Sequence, residues 1–150
     1  MKSNTFKKEY YAILEGHLDN SFQIINAPIG RKTDSIIERE INYNGDNAIT
    51  YLELIKNFEF KQNKLSFVKF ELKTGRTHQL RVHSKFIGHP ILGDTLYGNS
   101  SNLINRQALH AYKINFIHPI KKEYIEIKAP LPKDFDNIVN IIKEEIDYSI

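Results

Sequence analysis

The 150 residues contain no cysteine, which excludes disulfides, cysteine-ligated zinc, iron–sulfur clusters and thiol nucleophiles. No apolar run approaches the roughly 18 residues that would suggest a membrane-spanning helix. The opening stretch, Met1 to Tyr11, lacks an apolar core, so no signal peptide is expected and the expected compartment is the cytoplasm. The sequence holds no GxSxG elbow, Walker loop, GxGxxG turn or HExxH pair. Repeats, low-complexity tracts and interdomain linkers are also missing, so residues 1–150 read as one domain. With 41% hydrophobic and 26% charged residues, the chain is too apolar to be disordered.

The net charge of +3 is uninformative, but its distribution is not. Residues 1–60 carry 7 basic and 9 acidic side chains, residues 61–128 carry 12 and 4, and residues 129–150 carry 2 and 5. The positive charge sits mid-chain, where it is either a solvated lysine-rich surface or an attractor for a polyanion such as RNA.

The segments Phe6–Glu15, Ala48–Phe60, Leu65–Leu72, Ala108–Ile117 and Glu123–Lys128 read as strands. Leu65–Leu72 alternates cleanly and is expected to pair with Ala48–Phe60 as a hairpin, with the turn at Gln62–Lys64. Residues 17–45 read as loop with short strands. A helix is expected from Thr77 to Phe86, stopped by Gly88 and Pro90. A second is expected over Lys133–Tyr148, with Phe135, Ile138, Val139, Ile142 and Ile146 at helical spacing and packed on the sheet. Strands and helices without strict βαβ alternation predict an α+β fold with a mainly antiparallel sheet.

The densest chemistry lies in Leu72–His83. A strand ends at Gly75 and a helix begins at once, so free N–H groups and a positive dipole end meet Arg76. Thr77 is a candidate N-cap, and Arg81 lies four residues on, on the same helix face. Such a site could bind phosphate or orient a carboxylate; it could equally be a capped helix with solvated arginines. His78 and His83 are five apart, a poor spacing for a shared metal, and no metal site is expected. His110 and His118 are expected to be structural hydrogen-bonders. Tyr10 and Tyr11 point to opposite sides of their strand, one into the core and one onto the other face. A tyrosine beside a basic site could stack on a nucleobase.

The run Thr74-Gly75-Arg76-Thr77-His78-Gln79-Leu80-Arg81-Val82-His83, followed by Gly88-His89-Pro90-Ile91-Leu92-Gly93-Asp94 and Tyr97-Gly98, resembles the RluA-type pseudouridine synthases. Five further pieces agree in order: Lys8-Glu9-Tyr10-Tyr11-Ala12, Ala27-Pro28-Ile29-Gly30-Arg31, Ala48-Ile49-Thr50, Leu109-His110-Ala111 and Ala129-Pro130-Leu131-Pro132. The resemblance implies a mixed, mainly antiparallel sheet flanked by helices, with an RNA cleft across it. It implies a reaction that breaks the uridine N1–C1′ bond, turns the base and rejoins it through C5, without metal or cofactor. By position, Tyr10 matches the active-site tyrosine that stacks on the base. Arg81 matches the basic residue that pairs with the catalytic aspartate, and Arg76, Thr77, His78 and Gln79 match the RNA-lining motif around it. The expected partner is ribosomal or transfer RNA, not a membrane.

One departure is decisive for activity. The family's nucleophilic aspartate sits in an H-R-L-D motif upstream of the K-x-Y-x-A strand, and no H-R-L-D occurs in this sequence. Asp94 falls on a different, structural aspartate of the family. The chain is therefore expected to be the C-terminal part of the catalytic domain, incomplete at its N-terminus. It could be a shortened chain, a split gene or a degenerate reading frame, inactive alone. The alternative is a non-catalytic RNA-binding remnant. Arg81 is expected to lack a carboxylate partner, and an exposed sheet edge to favour self-association.

Overall fold

Period-two stretches rich in β-branched and aromatic residues become strands, because such side chains pack well on a pleated surface. The computed structural model describes residues 6–145. It contains β1 (Phe6–Glu15), β2 (Phe22–Asn26), β3 (Ile29–Arg31), β4 (Arg39–Ile41), β5 (Ile49–Phe60) and β6 (Asn63–Leu72). Helix α1 (Gln79–Phe86), β7 (Leu109–Ile117), β8 (Tyr124–Lys128) and α2 (Lys133–Val139) follow. Six strands form one sheet in the order β2-β5-β6-β1-β7-β8, and β3 and β4 pair as a separate hairpin. Every strand pairing among the described residues is antiparallel.

The β5–β6 hairpin forms as expected, but it turns at Lys61–Gln62 (φ 49° and 68°), while Asn63 and Lys64 already pair with Phe60 and Glu59. Two consecutive residues at positive φ give the loop a twist that suits the strands it joins. Both faces of β6 are covered: Leu65, Ser66, Phe67, Val68 and Phe70 are all buried. On one face Tyr11 stacks on Tyr112, 3.9 Å between centroids, and Phe67 meets Phe135 of α2 edge-on at 6.0 Å. Helix α2 buries Phe135, Ile138 and Val139, then tightens into a 3₁₀ segment, Asn140–Glu145, that buries Ile142. The expected helix therefore changes type at Asn140; Ile146 and Tyr148 lie outside the described residues.

The opposite face carries the functional motif. Tyr10 pairs with Phe70, Phe70 with Leu52, and Thr50 with Leu72, so Tyr10, Leu52, Thr50 and Phe70 share this side. Helix α1 lies over it, with Gln79 and His83 bonded to Thr50. The β1–β7 register shifts between Glu9 and Tyr10, which face Lys113 and Ala111 and leave Tyr112 as the extra residue. A bulge of this kind re-aims side chains locally, here beside Tyr10.

Candidate active site

The segment after β6 is fixed by one glutamine. Gln79 Oε1 accepts from the Thr74 hydroxyl (2.8 Å) and the Arg76 N–H (2.9 Å), while its Nε2 donates to Ile49 O and to Thr50 Oγ1. Thr74 Oγ1 also accepts from Ile49 N. With its amide spent this way and only 3% of its surface exposed, Gln79 holds the helix start from inside rather than facing RNA. This corrects its placement among the RNA-lining residues. Thr77 is also not the N-cap. The cap position is His78, in the left-handed region (φ 58°) with no side-chain cap, and that backbone turn starts α1 at Gln79.

Below the helix, His83 is fully buried and sits in a directed chain. Gln79 Nε2 donates to Thr50 Oγ1, which leaves the threonine proton for His83 Nδ1 (2.8 Å), and His83 Nε2–H donates to Ala27 O (2.9 Å). The network assigns a neutral Nε2–H tautomer. Burial pushes the imidazole pKa down, against the opposing effect of the Ala27 carbonyl. His110 and His118 are structural, as expected: His110 bonds Ala129 O, and His118 Nδ1 accepts from Ile120 N and Lys121 N.

Arg81 has a carboxylate partner, contrary to expectation. Its Nε and Nη2 donate to Asp94 Oδ2 (2.9 Å) and Oδ1 (2.8 Å) in a fork. The pair is invisible as a sequence spacing because it bridges the loop after α1. That loop is shaped by Gly88 (φ 83°), which ends the helix, and Gly93 (φ 80°), where a Cβ would lie 2.2 Å from Arg106 O. Asp94 Oδ1 also accepts from Leu96 N and Tyr97 N, and the carboxylate side chain is 0% exposed. Burial raises its pKa, but Arg81 and the two N–H groups outweigh that and hold it below the usual value. A saturated, enclosed carboxylate is a brace and not a nucleophile. Arg81 keeps Nη1 uncommitted among the described residues and is 18% exposed.

Tyr97 ties this pair to the β3–β4 hairpin. The Arg81 guanidinium lies 5.0 Å from its ring centre, and its hydroxyl accepts from Arg39 N (2.9 Å) and bonds His78 Nδ1 (2.7 Å). The hydroxyl thus joins the Arg39 backbone to the His78 ring. Partial burial, then the charges of Arg81 and Arg39, hold the His78 pKa low. Arg76 and Thr77 are exposed at the helix start, with Arg76 Nε on Asn47 O at 2.7 Å. Tyr10 is half-buried on the same side of the sheet, and burial raises its phenol pKa. Its neighbour Tyr11 is in the core at 2% exposure, the split that strand alternation predicts.

A model of the RNA pseudouridylate synthase family matches residues 1–85. The chain belongs to this family. Among its relatives, the uncharacterized RNA pseudouridine synthase YhcT of Bacillus subtilis is 44% identical over 138 residues, covering 92% of this chain and 45% of that protein. Ribosomal large subunit pseudouridine synthase D of Blochmanniella floridana is 37% identical over 153 residues, covering 91% and 46%. The chain thus spans about half the length of these curated relatives. Among solved structures, human RNA pseudouridylate synthase domain containing 1 superposes with a TM-score of 0.75 at 28% identity, covering 97% of this chain and 69% of that one. The α+β fold expected from the sequence is that of the family. No helix among the described residues is long and apolar enough to cross a membrane.

Proposed function

We propose that this chain is the base-positioning half of an RluA-type synthase that isomerises uridine to pseudouridine in ribosomal or transfer RNA in the cytoplasm, and that alone it does not turn over. The observation that carries the reading is the Arg81–Asp94 fork on the same side of the sheet as Tyr10. A flipped uridine needs an aromatic face, which Tyr10 offers, and a nucleophilic carboxylate kept ionised by a neighbouring cation. Arg81 is that cation. Asp94 fixes its Nε and Nη2 edge and leaves Nη1 for a second carboxylate, the nucleophile, which the described residues do not supply at this place.

In this reading Tyr10 and Arg81 act on the substrate and on the nucleophile, and Arg76 and Thr77 face the RNA. His78 and Gln79 shape the helix start from within. The uridine N1–C1′ bond breaks, the base turns, and C1′ rejoins C5; the C5 proton leaves and N1 gains one, so nothing is consumed. A second copy of the chain is the expected occupant of the open β2 edge, which exposes Phe22 and Ile24.

The test is pseudouridine detection by mass spectrometry, using RNA from a synthase-deficient strain and this chain fused to an H-R-L-D segment from a relative. Product from the fusion, abolished by Arg81→Ala, supports the reading. RNA binding with no product from any such fusion supports the non-catalytic remnant instead.

A further inference from the structure

Of the five arginines, Arg81 and Arg106 are paired with Asp94 and Asp134. The other three, Arg31, Arg39 and Arg76, have no carboxylate partner among the described residues, and all three line one cavity of about 420 Å³. They reach it from three separate places: β3, β4 and the loop before α1. The cavity is bounded by Gly75, Thr77 and Asp46 as well. Unpaired arginines repel one another, so three around one hollow favour an anion between them.

The details fit a ligand rather than chance crowding. Arg76 is anchored through Nε to Asn47 O, which directs its remaining amines without neutralising them. Arg39 bonds back to the carbonyls of Ile36, Ile37 and Glu38, at 3.3 to 3.5 Å, through a single nitrogen, Nη1. Gly75 presents bare backbone: a Cβ there would meet nothing within 4 Å. The adjacent helix start has no side-chain cap, and the exposed Thr77 adds a hydroxyl. Asp46 is the single acid among the lining residues, so the cavity carries three positive charges against one negative.

We infer that this cavity seats a backbone phosphodiester of the RNA strand, beside the nucleotide whose base reaches Tyr10. The inference rests on the RNA reading above and adds to it a site on the β3–β4 hairpin. A net charge of about +2 suits the single charge of a diester, and an open, polar hollow suits a strand passing through. The same hairpin touches the reaction side: Arg39 N bonds the Tyr97 hydroxyl, and Arg81 lies over the Tyr97 ring. A strand gripped at Arg31 and Arg76 therefore enters next to the cation that holds the nucleophile.

The experiment follows the arginine Nε–H signals of the 150-residue chain by NMR, assigned with Arg31→Gln and Arg76→Gln. The probes are a five-residue oligouridylate, uridine nucleoside and inorganic phosphate. The oligouridylate alone is expected to shift Arg31 and Arg76, with affinity falling as salt rises. Each glutamine variant is expected to weaken oligouridylate binding roughly fivefold and lower the salt slope by about one. Lys121→Gln, on the remote β7–β8 turn, is expected to leave both unchanged. Inorganic phosphate shifting both signals as strongly as oligouridylate would overturn the diester in favour of free phosphate. Silence of both signals while the chain still binds oligouridylate, or while the fused enzyme makes pseudouridine, would overturn the cavity alone. Shifts at both arginines in a chain whose fusion makes no product would uphold the cavity and sink the catalytic reading.

Discussion

Asp94 shows what a single side chain contributes and why it escaped the sequence reading. The motif around Arg81 marks a cation in need of a carboxylate, but a fork between residues thirteen apart, spanning the end of α1 and the loop after it, has no periodicity to betray it. Gln79 misleads in the opposite direction: a polar residue in a basic motif reads as RNA-facing, and only the fold shows its amide satisfied by Thr74, Arg76, Ile49 and Thr50. Asp94→Asn is expected to destabilise the fold by about 3 kcal/mol, because it leaves a largely enclosed guanidinium without its counter-charge. Urea denaturation measures this, and a loss under 1 kcal/mol would mean that Asp94 is not the brace. His83 gives a pH signature. Its folded pKa lies below the unfolded value of 6.5, so the unfolded chain takes up more protons once the pH drops under that value. Stability is therefore full above pH 6.5 and declines as pH falls toward the depressed folded pKa. Chemical denaturation at pH 7.5 and 5.5 should show the drop, and His83→Asn should reduce it; an unchanged drop would assign it to other groups, His78 first.

At the scale of elements, period-two patterns located the strands of the β5–β6 hairpin, and the i, i+3, i+4 pattern of Phe135, Ile138, Val139 and Ile142 located α2. Alternation also separated Tyr10 from Tyr11. Boundaries were less legible where the backbone leaves the common regions. Positive φ at Lys61 and Gln62 moved the hairpin turn, and positive φ at His78 delayed α1 by two residues. None of these three is a glycine, so composition gave no sign. From sequence the short β3–β4 hairpin is legible only as loop with short strands, since three-residue strands carry no measurable period. The loop carrying Asp94 depends on Gly93. Gly93→Ala combines a strained φ with a Cβ placed on the Arg106 carbonyl, and is expected to cost more than about 2 kcal/mol. Gly75→Ala, with an open site and no positive φ, is expected to cost under about 1 kcal/mol by the same thermal or urea measurement.

For the whole molecule, the mid-chain excess of positive charge supplies only part of the cavity proposed to hold the phosphodiester. Arg76 lies in it, while Arg31 and Arg39 come from the net-acidic first part and line the same cavity as Arg76 only through folding. The sheet's open margins at β2 and β8 follow from topology, which no local pattern reports. If β2 pairs with a second copy, Phe22→Lys is expected to shift the chain toward monomer in sedimentation velocity; a wild-type chain that stays monomeric at high concentration would contradict the pairing. The central claim is that Tyr10 and Arg81 form a site complete except for its nucleophile. The measurement that tests it most directly is mass-spectrometric detection of pseudouridine after incubating residues 1–150, alone and fused to an H-R-L-D segment, with RNA from a synthase-deficient strain. The account predicts product from the fusion and none from the chain alone; clear product from residues 1–150 by themselves would contradict it.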